Sequence, residues 1–137
     1  MKKHVKLSKN EINALPLIQY KGDIEILNSK DNIQAAINDL KNYDLIGFDT
    51  ETKPTFVKGP LNPPSIMQLA CDDKVYIFQL DNDEIFKQLS LILSNKNITK
   101  CGVSVDRDLI ELMYLSPFDP ISFVDLGNVA TVSYTHL

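Results

Sequence analysis

Tryptophan is absent from this 137-residue chain, and histidine and cysteine occur only twice each. So few soft ligands leave little with which to build a zinc centre, because Cys71 and Cys101 stand far apart and neither has a partner at metal-ligand spacing. Both cysteines sit in apolar, strand-like runs and read as buried thiols of a reducing compartment. Long hydrophobic runs are also missing. No stretch approaches the length of a membrane span, and the basic N-terminus lacks the apolar segment of an export signal. The expectation is therefore a cytoplasmic chain with no membrane partner. A surplus of cations is missing too: the net charge of −4 argues against a broad basic surface that grips nucleic acid by charge alone.

What is present is an ordinary globular composition, 44% hydrophobic and 23% charged, sufficient for one core. Residues 1–22 read as an arm and linker, with Lys2, Lys3, Lys6 and Lys9 as solvated charges and Pro16 and Gly22 as punctuation. A strand is expected over 23–27. Asp31 with Gln34 resembles a capping box, and Ile33, Ala36, Ile37 and Leu40 then share one helical face. A second strand spans 44–49, followed by a loop rich in proline from Pro54 to Pro64. Runs at 66–71 and 75–80, joined by Asp72-Asp73-Lys74, suggest a hairpin, so that three strands form one antiparallel meander. A helix with Ile85, Leu89, Ile92 and Leu93 on its apolar stripe ends at 94–97. It leads to a strand over 98–103 and then a helix capped by Ser104, with Val105, Leu109, Leu112 and Met113 facing inward. Residues 121–132 begin another strand or helix. This order predicts an α/β fold, a mixed sheet in which a parallel strand joins an antiparallel meander, flanked by helices.

The feature with chemical content is Asp49-Thr50-Glu51, which closes the apolar run Leu45-Ile46-Gly47-Phe48. Strand side chains alternate, so Asp49 and Glu51 point together. Two carboxylates held that close suit Mg²⁺ or Mn²⁺. With 13 Asp and 5 Glu in the chain, roughly half of one Asp-x-Glu is expected by chance. A second copy, Asp23-Ile24-Glu25, adjoins Lys21-Gly22 and reads as surface. The 49/51 pair differs by its place at the end of a buried strand, where ligands of α/β sheets gather. A third carboxylate, Asp108, lies in the first turns of the helix after 98–103. Taken alone it has a plain explanation, since acids there interact favourably with the helix dipole, and Asp106 fits that explanation better.

These residues resemble a family. Leu45-Ile46-Gly47-Phe48-Asp49-Thr50-Glu51-Thr52, the strand Ser65-Ile66-Met67-Gln68-Leu69, and Lys100 to Leu109 are similar to the first two motifs of the DEDD 3'-to-5' exonucleases, nearest to the ribonuclease D and Werner-type branch. The resemblance covers roughly residues 23–130. It implies an RNase H-like fold and two-metal hydrolysis of the terminal phosphodiester at the 3' end of DNA or RNA. Carried over, Asp49 would bridge two Mg²⁺ or Mn²⁺ ions, Glu51 would bind one and orient the attacking water, and Asp108 would support the second. Thr50, Thr52 and Lys53 would lie beside the terminal nucleotide. Gln68 is expected to be a plain strand residue, and Asp125 has no catalytic counterpart.

The chain departs from the family after that point. The resemblance calls for a fourth carboxylate in a Tyr-x-x-x-Asp or His-x-x-x-Asp pattern, and neither Tyr134 nor His136 has an Asp four positions on. The closing residues 132–137 resemble the translated read-through of a sequencing adapter. The expectation is a domain that is C-terminally incomplete, with 131–137 as an artefactual tail and an exonuclease activity that is weak or lost. The alternative is a non-catalytic RNase H-like module that binds nucleic acid or a protein, with protein partners unknown.

Overall fold

A computed structural model describes residues 7–135, with side chains as far as residue 130. Lys2, Lys3, Lys6 and His136, and the side chains of the predicted tail including that of Tyr134, lie outside the described part. The element order is α1 (Lys9–Asn13), β1 (Asp23–Leu27), α2 (Lys30–Leu40), β2 (Leu45–Thr52), β3 (Pro64–Ala70), β4 (Lys74–Gln79), α3 (Asp83–Leu93), β5 (Thr99–Gly102), α4 (Val105–Leu115), β6 (Phe123–Asp125) and α5 (Leu126–Thr135). The strands form one sheet in the order β1-β4-β3-β2-β5-β6. As expected, β2, β3 and β4 are an antiparallel meander and β5 runs parallel to β2. Two further parallel strands extend it, β1 beside β4 and β6 beside β5.

Alternation in the strands decides which face is buried. Leu27, Ile46, Phe48, Met67, Leu69, Tyr76 and Phe78 turn to one face, where they join the apolar stripes of α2, α3 and α4 in a single core. The predicted stripes are the buried ones, apart from Met113, which is half-buried. On the opposite face, Ile26, Ile77, Gln68 and Asp49 lie in one cross-strand row. Among the described residues no helix is long and apolar enough to cross a membrane.

Four local expectations need correction. The arm contains a helix, α1, because Ser8 and Glu11 form a reciprocal capping box, Glu11 Oε2 accepting the Ser8 N–H at 2.7 Å. The cap of α2 is Ser29, whose extended backbone lets its Oγ accept the Asn32 N–H. Asp31 is already inside the first turn, and Gln34 donates to Asn38 Oδ1 at 3.1 Å instead of reaching back. Ser104 occupies the N-cap position of α4 but is left-handed, with no side-chain cap bond. The cysteines are half-buried free thiols: Cys71 lies in the β3–β4 turn, and Cys101 donates weakly to the Ile46 carbonyl.

Candidate active site

β2 is longer than its apolar run. Pairing with β5 covers only Leu45 to Gly47, whereas pairing with β3 continues through Asp49↔Gln68 and Glu51↔Ile66 to Thr52, with an irregularity after Glu51. The acidic pair therefore lies within a strand held on one side only. β5 stops because the chain turns at Gly102, where a Cβ would run into the Phe48 carbonyl oxygen, so only glycine lets the turn press so closely on β2. That turn launches α4 alongside the uncovered edge of β2.

Alternation and burial agree that Asp49 and Glu51 are exposed on the open face, while Thr50 turns toward α4. There the Thr50 hydroxyl donates to Asp108 Oδ1 at 3.0 Å, and the Thr50 N–H donates to Asp49 Oδ1 at 3.0 Å. Thr50 thus bonds two of the three predicted acids, Asp49 and Asp108, and Glu51 follows it in the strand. Burial pushes the Asp108 carboxyl above its ordinary range; the Thr50 hydroxyl pulls it back, and the negative charges of Asp49 and Glu111 add to the rise. Among the described residues no ion pair reaches Asp49, Glu51 or Asp108; the ion pairs are Lys74–Glu25, Lys87–Glu84 and Arg107–Glu111. The Asp23/Glu25 copy does lie at the surface, Glu25 pairing with Lys74 at 3.7 Å.

An all-oxygen acidic set without ion-pair partners among the described residues has the chemistry for a hard divalent cation. Its orientation is not that of a closed cage, since among the described residues no three Asp, Glu, His or Cys side chains gather closely enough to hold an ion. The hydrogen bonds of Asp49 and Asp108 to Thr50 account for that. Glu51, Thr52 and Lys53 open onto a groove of about 720 Å³, completed by Asn62, Ser65, Gln79 and Leu115 among others. Thr50 is not part of its wall, so of the three residues expected beside a ligand only Thr52 and Lys53 line the groove. Asp49 and Gln68 instead share a shallower hollow of about 320 Å³ with Gly47, Ala70 and Cys101.

Two contributors escaped the sequence. Asn62 donates from Nδ2 to the Lys53 carbonyl at 2.9 Å and, more weakly, to the Pro54 carbonyl and Thr55 Oγ1, closing the loop that forms one rim of the groove. A lone Asn between Leu61 and Pro63 gives no sign of that role. Lys100 is fully buried, donating from Nζ to the carbonyls of Ile98 at 2.7 Å and Asn95 at 2.9 Å beneath the Phe123 ring. Phe123 in turn meets Phe48 edge-on at 5.1 Å, so this cluster supports β2 just before the acidic pair.

Comparison with known proteins gives a consistent result. A family profile described as "3'-5' exonuclease" matches residues 24–132. The mouse "Bifunctional 3'-5' exonuclease/ATP-dependent helicase WRN" is 30% identical over 122 residues, spanning 85% of this chain and 9% of that protein. The solved exonuclease domain of Aedes aegypti Nibbler superposes with a TM-score of 0.71 at 24% identity, over 80% of this chain and 55% of the other. Trypanosoma brucei RNase D in complex with RNA U12 gives 0.68 at 23%, over 78% of this chain and 38% of that one. These structural likenesses establish the fold, an RNase H-like mixed sheet. The chain spans little more than half of the Nibbler domain and a small part of the WRN protein.

Proposed function

Because the chain belongs to the 3'-5' exonuclease family, we propose that it is built to hydrolyse the terminal phosphodiester at the 3' end of a DNA or RNA strand, with Mg²⁺ or Mn²⁺ held by Asp49, Glu51 and Asp108. The observation that carries this reading is the run of β2 beyond β5, which leaves two carboxylates on one face and a third on α4, bonded to Thr50 between them, with no ion pair to any of the three among the described residues. Held by these residues, two cations would supply positive charge to the attacking and leaving oxygens of an in-line displacement.

The chain's own residues position the partners. Pairing with β3 fixes the acidic stretch of β2, and Thr50 holds Asp108 in place from its neighbouring strand. Thr52 and Lys53 line a groove whose volume, about 720 Å³, falls within the usual range of small-ligand clefts and accommodates a terminal nucleotide. Lys53 provides a cation for a phosphate there. The catalytic unit is assigned to residues 23–130, supported by the family match over nearly the same span, with 1–22 outside it.

Within these 137 residues no Tyr-x-x-x-Asp or His-x-x-x-Asp follows β6. Three of the four carboxylates that the resemblance calls for lie within these residues. A non-catalytic binding module is the second reading, favoured by the bonds that turn Asp49 and Asp108 toward Thr50 rather than toward a shared ion. The test is Mn²⁺-dependent shortening of 5'-labelled DNA and RNA single strands by this chain and by Asp49→Ala. Slow shortening that disappears in Asp49→Ala supports the exonuclease. Strand binding without shortening, equal in both proteins and indifferent to Mn²⁺, supports the module.

A further inference from the structure

The helix that carries Asp108 begins in an unusual way. Ser104 is left-handed, with φ of 57°, and its side chain caps nothing. A helix start leaves several N–H groups without partners, and something else must accept from them. Asp125, at the end of β6, does so: its Oδ2 accepts the Val105 N–H at 3.1 Å while its Oδ1 accepts the Gly127 N–H at 2.8 Å. One carboxylate thereby ties the start of α4 to the β6–α5 corner. Asp125 is also the register partner of Gly102, the residue pressed against the Phe48 carbonyl. β2, the β5–α4 turn and β6 are locked together at this point.

Asp108 follows one turn along α4, its carboxylate held by Thr50. The helix is fixed twice near its start, by Asp125 at the backbone of Val105 and by Thr50 at the side chain of Asp108. Releasing the first fixing point lets α4 slide or tilt on the sheet, and hydrogen bonds weaken steeply when donors and acceptors move out of range.

We propose that Asp125 is a positioning residue for Asp108: by capping α4 from the neighbouring strand it sets where Asp108 stands relative to Asp49 and Glu51. This rests on the reading of those three acids as cation ligands. It assigns a specific task to a residue that has no counterpart among the catalytic acids implied by the resemblance.

The test is Mn²⁺ titration of the full chain, followed by electron paramagnetic resonance of the free ion, well below the melting temperature. Asp125→Ala is expected to raise the Mn²⁺ Kd about 3- to 10-fold, less than the 10- to 100-fold typical of a residue bonded directly to a ligand. Asp125→Asn retains one acceptor and is expected to fall between; it carries the test if the alanine variant does not fold. Asp108→Asn serves as the direct comparison. Tyr76→Phe is the control for lost stability, since it removes a hydrogen bond to Asp39 and touches none of the three acids. Weaker Mn²⁺ binding in the Asp125 and Asp108 variants, with Tyr76→Phe unchanged, supports the proposal. If Asp108→Asn weakens binding and Asp125→Ala does not, or if Tyr76→Phe weakens it as much, Asp125 serves only folding and the proposal falls while the cation reading stands. If the unmodified chain binds no Mn²⁺, both fall together.

Discussion

Replacing Lys100 with methionine tests whether the support beneath β2 contains a charge held at a cost. The side chain is fully buried, and burial lowers its ammonium from the ordinary value near 10.5 to about 8. That displacement corresponds to about 3 kcal/mol between the protonation states, as an upper figure, since each pKa unit is about 1.4 kcal/mol. The carbonyls of Asn95 and Ile98 and the face of Phe123 favour the charged form and return part of it. The sign follows from proton counts. Between pH 8 and 10.5 the unfolded chain keeps the lysine proton while the folded chain has released it, so stability rises with pH across that window and is flat below it. From pH 7 to 9.5 the unmodified protein should gain about 1–2 kcal/mol relative to Lys100→Met. At pH 7 alone the comparison is ambiguous, because methionine removes a buried charge but leaves two carbonyls without a donor. The slope isolates the titration. The assay is urea unfolding of both proteins at several values from pH 7 to 9.5. It stops there because Tyr43, held up to about 12 by its hydrogen bond to Cys71, and Tyr76, raised by burial, reverse the slope once unfolded tyrosines ionise. A stability difference between the two proteins that stays constant over this range would refute the argument.

Other substitutions read separate parts of the structure. Gly102→Ala places a methyl group against the Phe48 carbonyl and is expected to destabilise the fold by about 1–3 kcal/mol, seen as a lower urea midpoint; an unchanged midpoint would mean that the turn is looser than described. Tyr76→Phe loses the 2.6 Å bond from its buried hydroxyl to Asp39 and should lower stability by about 1–2 kcal/mol while leaving strand shortening intact. Asn62→Ala frees the rim of the groove and is expected to weaken binding of a single strand several-fold with little change in melting temperature, because its three contacts are all within the 53–62 loop. A loss of melting temperature as large as that of Tyr76→Phe would show instead that Asn62 serves the core.

The sequence told more about the core than about the edges. Period-two and period-3.6 patterns located β1 to β5 and α2 to α4, because the residues that form them are the ones that must be buried; over 121–132 they left strand or helix open, and the structure has one of each, β6 and α5. Short elements were hidden where a single polar contact decides the structure. α1 depends on one capping box, and the true cap of α2, Ser29, stands two residues before the more conspicuous Asp31. Ser104 shows the same limit from the other side: a good capping residue in the right place does no capping, because the cap comes from Asp125, which is remote in sequence. No local pattern records a partner of that kind.

The acidic pair shows why a candidate site was legible at all. An Asp-x-Glu is common by chance, and a surface copy at 23/25 has the same spacing. The difference is what supports it from below. Phe48 packs on Phe123, Phe123 covers Lys100, and Gly102 clears the space through which α4 reaches the edge of β2. Phe48, Lys100 and Gly102 lie within the stretches that carry the family resemblance, and Phe123 comes from the later strand β6. Those stretches therefore encode the frame as well as the proposed ligands: exchanging Asp49 or Glu51 alters the acids themselves, whereas exchanging Gly102 or Phe48 is expected to move them relative to Asp108. The spacing between Asp49 and Glu51 is set by the pairing of β2 with β3, whereas the copy at 23/25 stands on an edge strand, where Glu25 pairs with Lys74.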